Sequence, residues 1–184
     1  MQSEDYSKNI ANAIDSFLTN DDWKFFFDDK HGMFRFGLSL TGRIKEVNFL
    51  VHVKADAYVV YAISPIGADA GDAKEMAAMA DFICRANYGL LNGNFELDMR
   101  DGEIRYKSYV YCGDFTPTAD MVRESIVIPA RMFDRYSAGI VDIIFNDASA
   151  KEAAEVLRAF LGVDESEIHS DSETSESDDS EPEG

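Results

Sequence analysis

Cysteine is almost missing from this sequence: Cys84 and Cys112 are the only two in 184 residues. Two cysteines make no disulfide framework, so a reducing, cytoplasmic setting is expected. Histidine is scarce as well. His31, His52 and His169 are the only three, and none neighbours another histidine or a cysteine at metal-ligand spacing. Basic residues are outnumbered, 17 Lys and Arg against 35 Asp and Glu, for a net charge of −18. That deficit argues against nucleic acid, whose phosphates must be neutralised by Lys and Arg. It argues equally against anionic lipid. No window approaches the roughly 18 consecutive apolar residues of a membrane span. The opening MQSEDYSKNIANAIDSFL has no basic segment ahead of an apolar run, so no signal peptide is expected.

What remains is sufficient for a packed core, since 46% of residues are hydrophobic and 12% aromatic. The length suits one domain with at most a tail. The charge is unevenly spread. Ten of the 35 acids fall in 164–184, which has no Lys or Arg, leaving 25 acids against 17 bases (net −8) in 1–163. The division predicts a folded domain over 1–163. Residues 164–184 read as a disordered Ser/Asp/Glu tail, too poor in apolar residues to offset its ordering entropy.

Periodicity supplies the elements. Tyr6, Ile10, Ala13, Ile14, Phe17 and Leu18 predict a helix over about 3–19, capped by Ser3. Strands follow, with Trp23, Phe25 and Phe27, then Phe34, Phe36, Leu38 and Leu40, then Val47, Phe49, Val51 and Val53 at period two. A further strand, 57–64, turns back at Ala55-Asp56. A helix over 73–88 carries a D-x-x-E cap at Asp72 and Glu75 and stops at Gly89. Met76, Ala80, Ile83, Cys84 and Asn87 share its apolar face. Asp101-Gly102 reads as a two-residue hairpin turn between 95–100 and 103–111. That turn sets Arg100 opposite Glu103, Asp98 opposite Arg105 and Glu96 opposite Lys107, with Met99–Ile104 and Leu97–Tyr106 on the other face. A long helix to about Asn146, which Pro129 should kink or split, precedes a last helix capped by Ser149 and Glu152. The order α-β-β-β-β-α-β-β-α-α, with hairpin-linked strands, predicts an α+β fold: an antiparallel sheet with helices packed on it.

No catalytic constellation emerges, so an enzyme is not expected, and neither is a cofactor or metal site. The run Gly37–Ile44 has the glycine spacing of a phosphate loop, but Arg43 and Ile44 replace its Lys and Ser/Thr and a strand follows. Gly67–Gly71 precedes a helix, yet Asp69 and Asp72 would repel an anion there. Asp98–Gly102 places Arg100 at a calcium-ligand position. No G-x-S-x-G elbow presents a nucleophile. Cys84 reads as a small buried hydrophobe on its helix.

One feature asks for a partner. In the central hairpin, Val53–Tyr58, Val51–Val60 and Phe49–Ala62 form one apolar face. The opposite face carries Leu50–Tyr61, His52–Val59 and Asn48–Ile63, and is rather apolar too. If helices cover one face alone, Leu50, Val59, Tyr61 and Ile63 form an exposed protein-binding patch. Otherwise a further helix, such as the C-terminal pair, lies over them.

The stretch Ala86-Asn87-Tyr88-Gly89-Leu90-Leu91-Asn92-Gly93-Asn94-Phe95-Glu96-Leu97-Asp98, followed by Asp101-Gly102-Glu103-Ile104-Arg105-Tyr106, resembles the YbjN family. So do Phe34-Arg35-Phe36 and the run from Tyr136 to Ile140-Val141-Asp142-Ile143-Ile144. The likeness spans roughly 6–146 by order of elements, and its sharpest motif is the Asn-Gly-Asn-Phe-Glu-Leu-Asp hairpin. The resemblance implies a bacterial sensory transduction regulator with a fold similar to type III secretion chaperones. Those are small, acidic, usually dimeric proteins that bind extended partner segments. It therefore implies a non-enzymatic regulatory domain with a protein partner or a homodimer. A chaperone for one client is the alternative, and a small-ligand binder or enzyme with a pocket around Asn87, Tyr106 or His52 is another. The family brings no catalytic residues.

Overall fold

The computed structural model describes residues 6–161. Four helices and six strands occur in the order α1 (Lys8–Asn20), β1 (Phe25–Asp28), β2 (Met33–Ser39), β3 (Glu46–Val53), β4 (Ala57–Ile63), α2 (Ala73–Asn87), β5 (Asn94–Leu97), β6 (Ile104–Tyr111), α3 (Ala119–Asn146) and α4 (Ala150–Leu161). The fold is α+β, as the sequence predicts. The expected tail, 164–184, lies outside the described residues.

The strands form one sheet in the order β1-β2-β3-β4-β6-β5, every neighbour antiparallel. Strands β1 to β4 are a meander. Helix α2 then carries the chain across, and the β5–β6 hairpin adds to the β4 edge through β6. Alternation decides which side each residue faces. Phe34, Phe36, Val47, Phe49, Val51, Val53, Tyr58, Val60, Ala62, Phe95, Ile104 and Tyr106 point to one side and are buried. They join Ile10, Ile14, Leu18, Met79, Phe82, Phe133 and Ile140 of the helices in a single core. The described helices therefore lie on one face of the sheet.

Local chemistry explains the boundaries. Helix α1 starts later than the sequence predicts. Ser7 is its cap, accepting from the Ile10 amide, and Ser7 itself donates its backbone N–H to Lys54 O. The expected cap, Ser3, lies outside the described residues. Asp72 caps α2 through the amides of Lys74 and Glu75, while Glu75 reaches back to the Asp69 amide. Ser149 and Glu152 form the expected reciprocal box at α4. Pro129 neither splits nor ends α3, which runs unbroken for 28 residues. A proline removes one amide donor, here the one owed to the Ser125 carbonyl. The burial of Val122, Ile126, Pro129, Ala130 and Phe133 on both sides of that gap holds the helix together.

Two readings fail. The β5–β6 register pairs Leu97 with Ile104, Glu96 with Arg105 and Phe95 with Tyr106, two residues from expectation. A two-residue I′ turn needs positive φ at both central residues, but only Gly102 has it, at 79°. The chain instead makes a wider loop, closed by Asp98 N–H to Glu103 O at 2.9 Å and Gly102 N–H to Asp98 O at 2.8 Å. Arg100 folds onto Asp98 (2.6 Å) instead of facing Glu103. The loop is set from outside the hairpin: Gly102 O accepts from Ala68 N–H at 3.0 Å, and a Cβ on Gly102 would lie 1.8 Å from Ala68 O. Cys84 is the second miss. It is exposed, because α2 buries Met76, Met79, Phe82, Ile83 and Ala86, a stripe rotated from the expected one.

Candidate functional site

The segments that faintly resemble ligand loops are occupied by the protein's own groups. In the β2–β3 connection the amides of Thr41 and Gly42 both donate to Asp134 Oδ1, at 2.8 and 2.7 Å, and the Arg43 amide donates to Ser137 Oγ at 2.9 Å. The amides do converge on a carboxylate, but it belongs to α3. Arg43 then pairs with Asp142 at 2.5 Å. Near α2, the Gly71 amide donates to Asp69 Oδ1. His31 bonds Asp28 at 2.8 Å, and His52 lies 3.2 Å from Lys54 Nζ. Burial first, and the Lys54 charge second, push the His52 imidazole below its ordinary pKa. His169 lies outside the described residues. Among the described residues no three His, Cys, Asp or Glu side chains group to hold a metal.

Asn87 and Tyr106 are engaged by the protein's own backbone. Asn87 is bonded to the Phe95 backbone, and the Tyr106 hydroxyl donates to Asn92 O. Burial, and secondarily Tyr136, push the Tyr106 phenol up to about 12. A depression of about 520 Å³ lies between α2 and the α3–α4 junction, where Lys74 pairs with Asp147 at 2.6 Å.

The other side of the sheet is different. The β3–β4 register is the expected one: Leu50 opposite Tyr61, His52 opposite Val59 and Asn48 opposite Ile63. Leu50, Val59, Tyr61 and Ile63 are partly buried and contribute nothing to the hydrophobic core. The described helices occupy the opposite face. The register continues Leu50 to Arg35 and Phe26 on one side, and Tyr61 to Lys107 on the other. The next row runs His52, Val59, Tyr109. Phe26, Tyr109 and Tyr111 are 61%, 56% and 61% exposed. A shallow depression of about 410 Å³ opens beside Leu50 and Ile63, with Arg35 and Asn48 at its rim.

This outer face is less acidic than the chain as a whole. The Arg105 guanidinium sits 4.7 Å above the Tyr61 ring, a cation–π contact. Arg105 also pairs with Glu96 at 2.8 Å, and Lys107 bonds the same carboxylate. Burial alone would raise the Glu96 carboxyl, but its bonds to Lys107 and Arg105 outweigh that and hold it down. An apolar, aromatic strip flanked by cations can bind another polypeptide through side-chain packing and hydrogen bonds. The sequence placed the four apolar residues on this face; it missed Phe26, Tyr109 and Arg105, which join through pairings with β2 and β6.

No described helix is long and apolar enough to cross a membrane. No curated protein matches the chain. The model of one family, YbjN, described as "Putative bacterial sensory transduction regulator", matches residues 11–141. Among solved structures, "YbjN, a putative transcription regulator from E. coli" is similar with a TM-score of 0.52 at 12% identity, over 69% of this chain and 90% of that one. At that identity the likeness is one of fold.

Proposed function

Since the chain belongs to the YbjN family, we propose that it is a non-enzymatic regulatory domain that acts by binding another protein through the outer face of its sheet. The observation that carries this reading is the one-sided packing of the described helices, which leaves Leu50, Val59, Tyr61 and Ile63 outside the core beside the exposed Phe26, Tyr109 and Tyr111. Contiguous exposed apolar surface is characteristic of interaction sites. The acidic balance supports a protein partner in the cytoplasm over nucleic acid or membrane.

The test replaces Leu50 and Ile63 by Glu in the full chain and compares capture of bacterial proteins with the wild type. A defined protein held by the wild type and lost by the variant, which still folds and melts cooperatively, is the expected result. A single stoichiometric client would favour the chaperone form of the reading over a broad regulator. Identical captured sets from both chains would remove the outer face from the function.

A further inference from the structure

The two edges of the sheet are treated unequally. At β5 the backbone of Phe95 is engaged by the Asn87 side chain, through both its N–H and its C=O. At β1, among the described residues, no backbone hydrogen bond reaches the side away from β2. Native proteins protect such edges with charge, proline, bulges or a covering element. Strand β1 is short, but it is Phe25-Phe26-Phe27-Asp28, and Phe26 is 61% exposed.

We infer that β1 is a self-pairing edge: two copies of the chain join β1 to β1 antiparallel about a two-fold axis through Phe26, extending the sheet across the dimer. The sequence of the strand is complementary to itself in that register. Phe26 meets its own copy on the outer face. Phe25 lies opposite Phe27 on the inner face, where both already flank Phe34 at ring distances of 5.8 and 4.2 Å. Lys24 lies opposite Asp28, and the symmetry repeats that ion pair. Asp28 already accepts from His31 and the Lys30 amide, but an ionised carboxylate has lone-pair sites to spare.

The neighbouring registers are less favourable. An axis through Phe25 sets Phe26 opposite Lys24, and an axis through Phe27 sets Phe26 opposite Asp28, so each loses the aromatic pair and the ion pair together. Like charges directly opposite are destabilising, and opposite charges and aromatic pairs are favourable. One register is therefore selected by the pairs that it alone makes. A strand this short gives an interface below the standard size, so the association is weak and depends on concentration.

The decisive experiment uses purified full-length chain alone, so its outcome is independent of any captured partner. Sedimentation equilibrium should show mass rising from monomer toward dimer with concentration. Lys24→Glu places an acid opposite Asp28 twice and should weaken association about tenfold or more. The swap K24E/D28K restores both pairs and should recover it. In a Cys84→Ser background, Phe26→Cys should cross-link on mild oxidation far faster than Met99→Cys, which is also exposed. Opposed residues in antiparallel strands have Cα atoms about 4.5–5.5 Å apart, within disulfide reach. A chain that stays monomeric at hundreds of micromolar, or a dimer indifferent to K24E with no preferential cross-link at 26, overturns the inference.

Discussion

Asn87 holds Phe95 by both its backbone N–H and its C=O. Its Oδ1 accepts the Phe95 N–H at 2.7 Å, and its Nδ2 donates to the Phe95 carbonyl at 3.0 Å. A side chain at the end of α2 thus imitates the next strand and fixes the helix to the sheet edge. Asn87→Ala leaves the Phe95 N–H without its partner and its carbonyl with the Asn94 side-chain amide as donor at 3.1 Å, and should cost about 2 kcal/mol. Asn87→Asp should not rescue it, because its second oxygen would face a carbonyl. Urea unfolding of the three chains checks this.

The Asp134 staple makes a second case. Asp134→Ala removes two charge-assisted bonds to the 41–42 backbone and should cost about 2 kcal/mol. Gly42→Ala should damage the same joint, since its Cβ would lie 2.4 Å from Ser137 Oγ and 2.9 Å from Asp134 O. The double variant should lose less than the sum of the two, as expected of groups in direct contact. A double-mutant cycle by chemical denaturation reads the difference.

Adjacent residues of β3 should respond oppositely to charge. Val51, at 1% exposure, faces the core, and Val51→Asp should prevent folding because it buries an unpaired carboxylate. Leu50, on the outer face, should tolerate Asp at a cost of about 1 kcal/mol. Thermal melts of both chains decide it.

Two tyrosines should resist alkali. Tyr58 and Tyr106 are both pushed up to about 12, in each case chiefly by burial. A group whose folded pKa exceeds its unfolded value near 10 adds stability that is complete below pH 10 and lost between 10 and 12. Phenolate absorbance should therefore show two of the eight tyrosines titrating late, together with unfolding. His52 works in the reverse sense. Its folded pKa lies below 6.5, so its stabilising effect is present above that pH and lost as pH falls. His52→Gln should flatten the acid limb of the stability profile.

The parity of the strands was legible in the sequence, and with it the four central residues of the candidate site, since Leu50 and Val51 can only face opposite ways. The β3–β4 register was legible because a tight turn at 55–56 leaves little freedom. The β5–β6 register was not. A shift of two residues preserves both faces and still leaves Glu96 among bases, so alternation carries no information about it. The choice is made by Ala68, more than 30 residues upstream, pressing on Gly102. Cys84 was misplaced for a related reason. Several small side chains surround it in α2, and the stripe that is buried depends on where β5 and α4 pack. The coverage of the outer face likewise depends on helix placement, which local pattern does not encode.

The sheet order also sets a timetable for assembly. Each strand of the β1–β4 meander finds its partner within a few residues along the chain, so closing those hairpins sacrifices little chain entropy. The seam between β4 and β6 must wait for Tyr111 to reach Ala57 across an intervening helix and hairpin. Distant pairings of this kind are slow to form. The meander should therefore gain amide protection first and β6 last, with Tyr58 and Ser125 locking α3 over the finished seam through their hydroxyl contact at 3.3 Å.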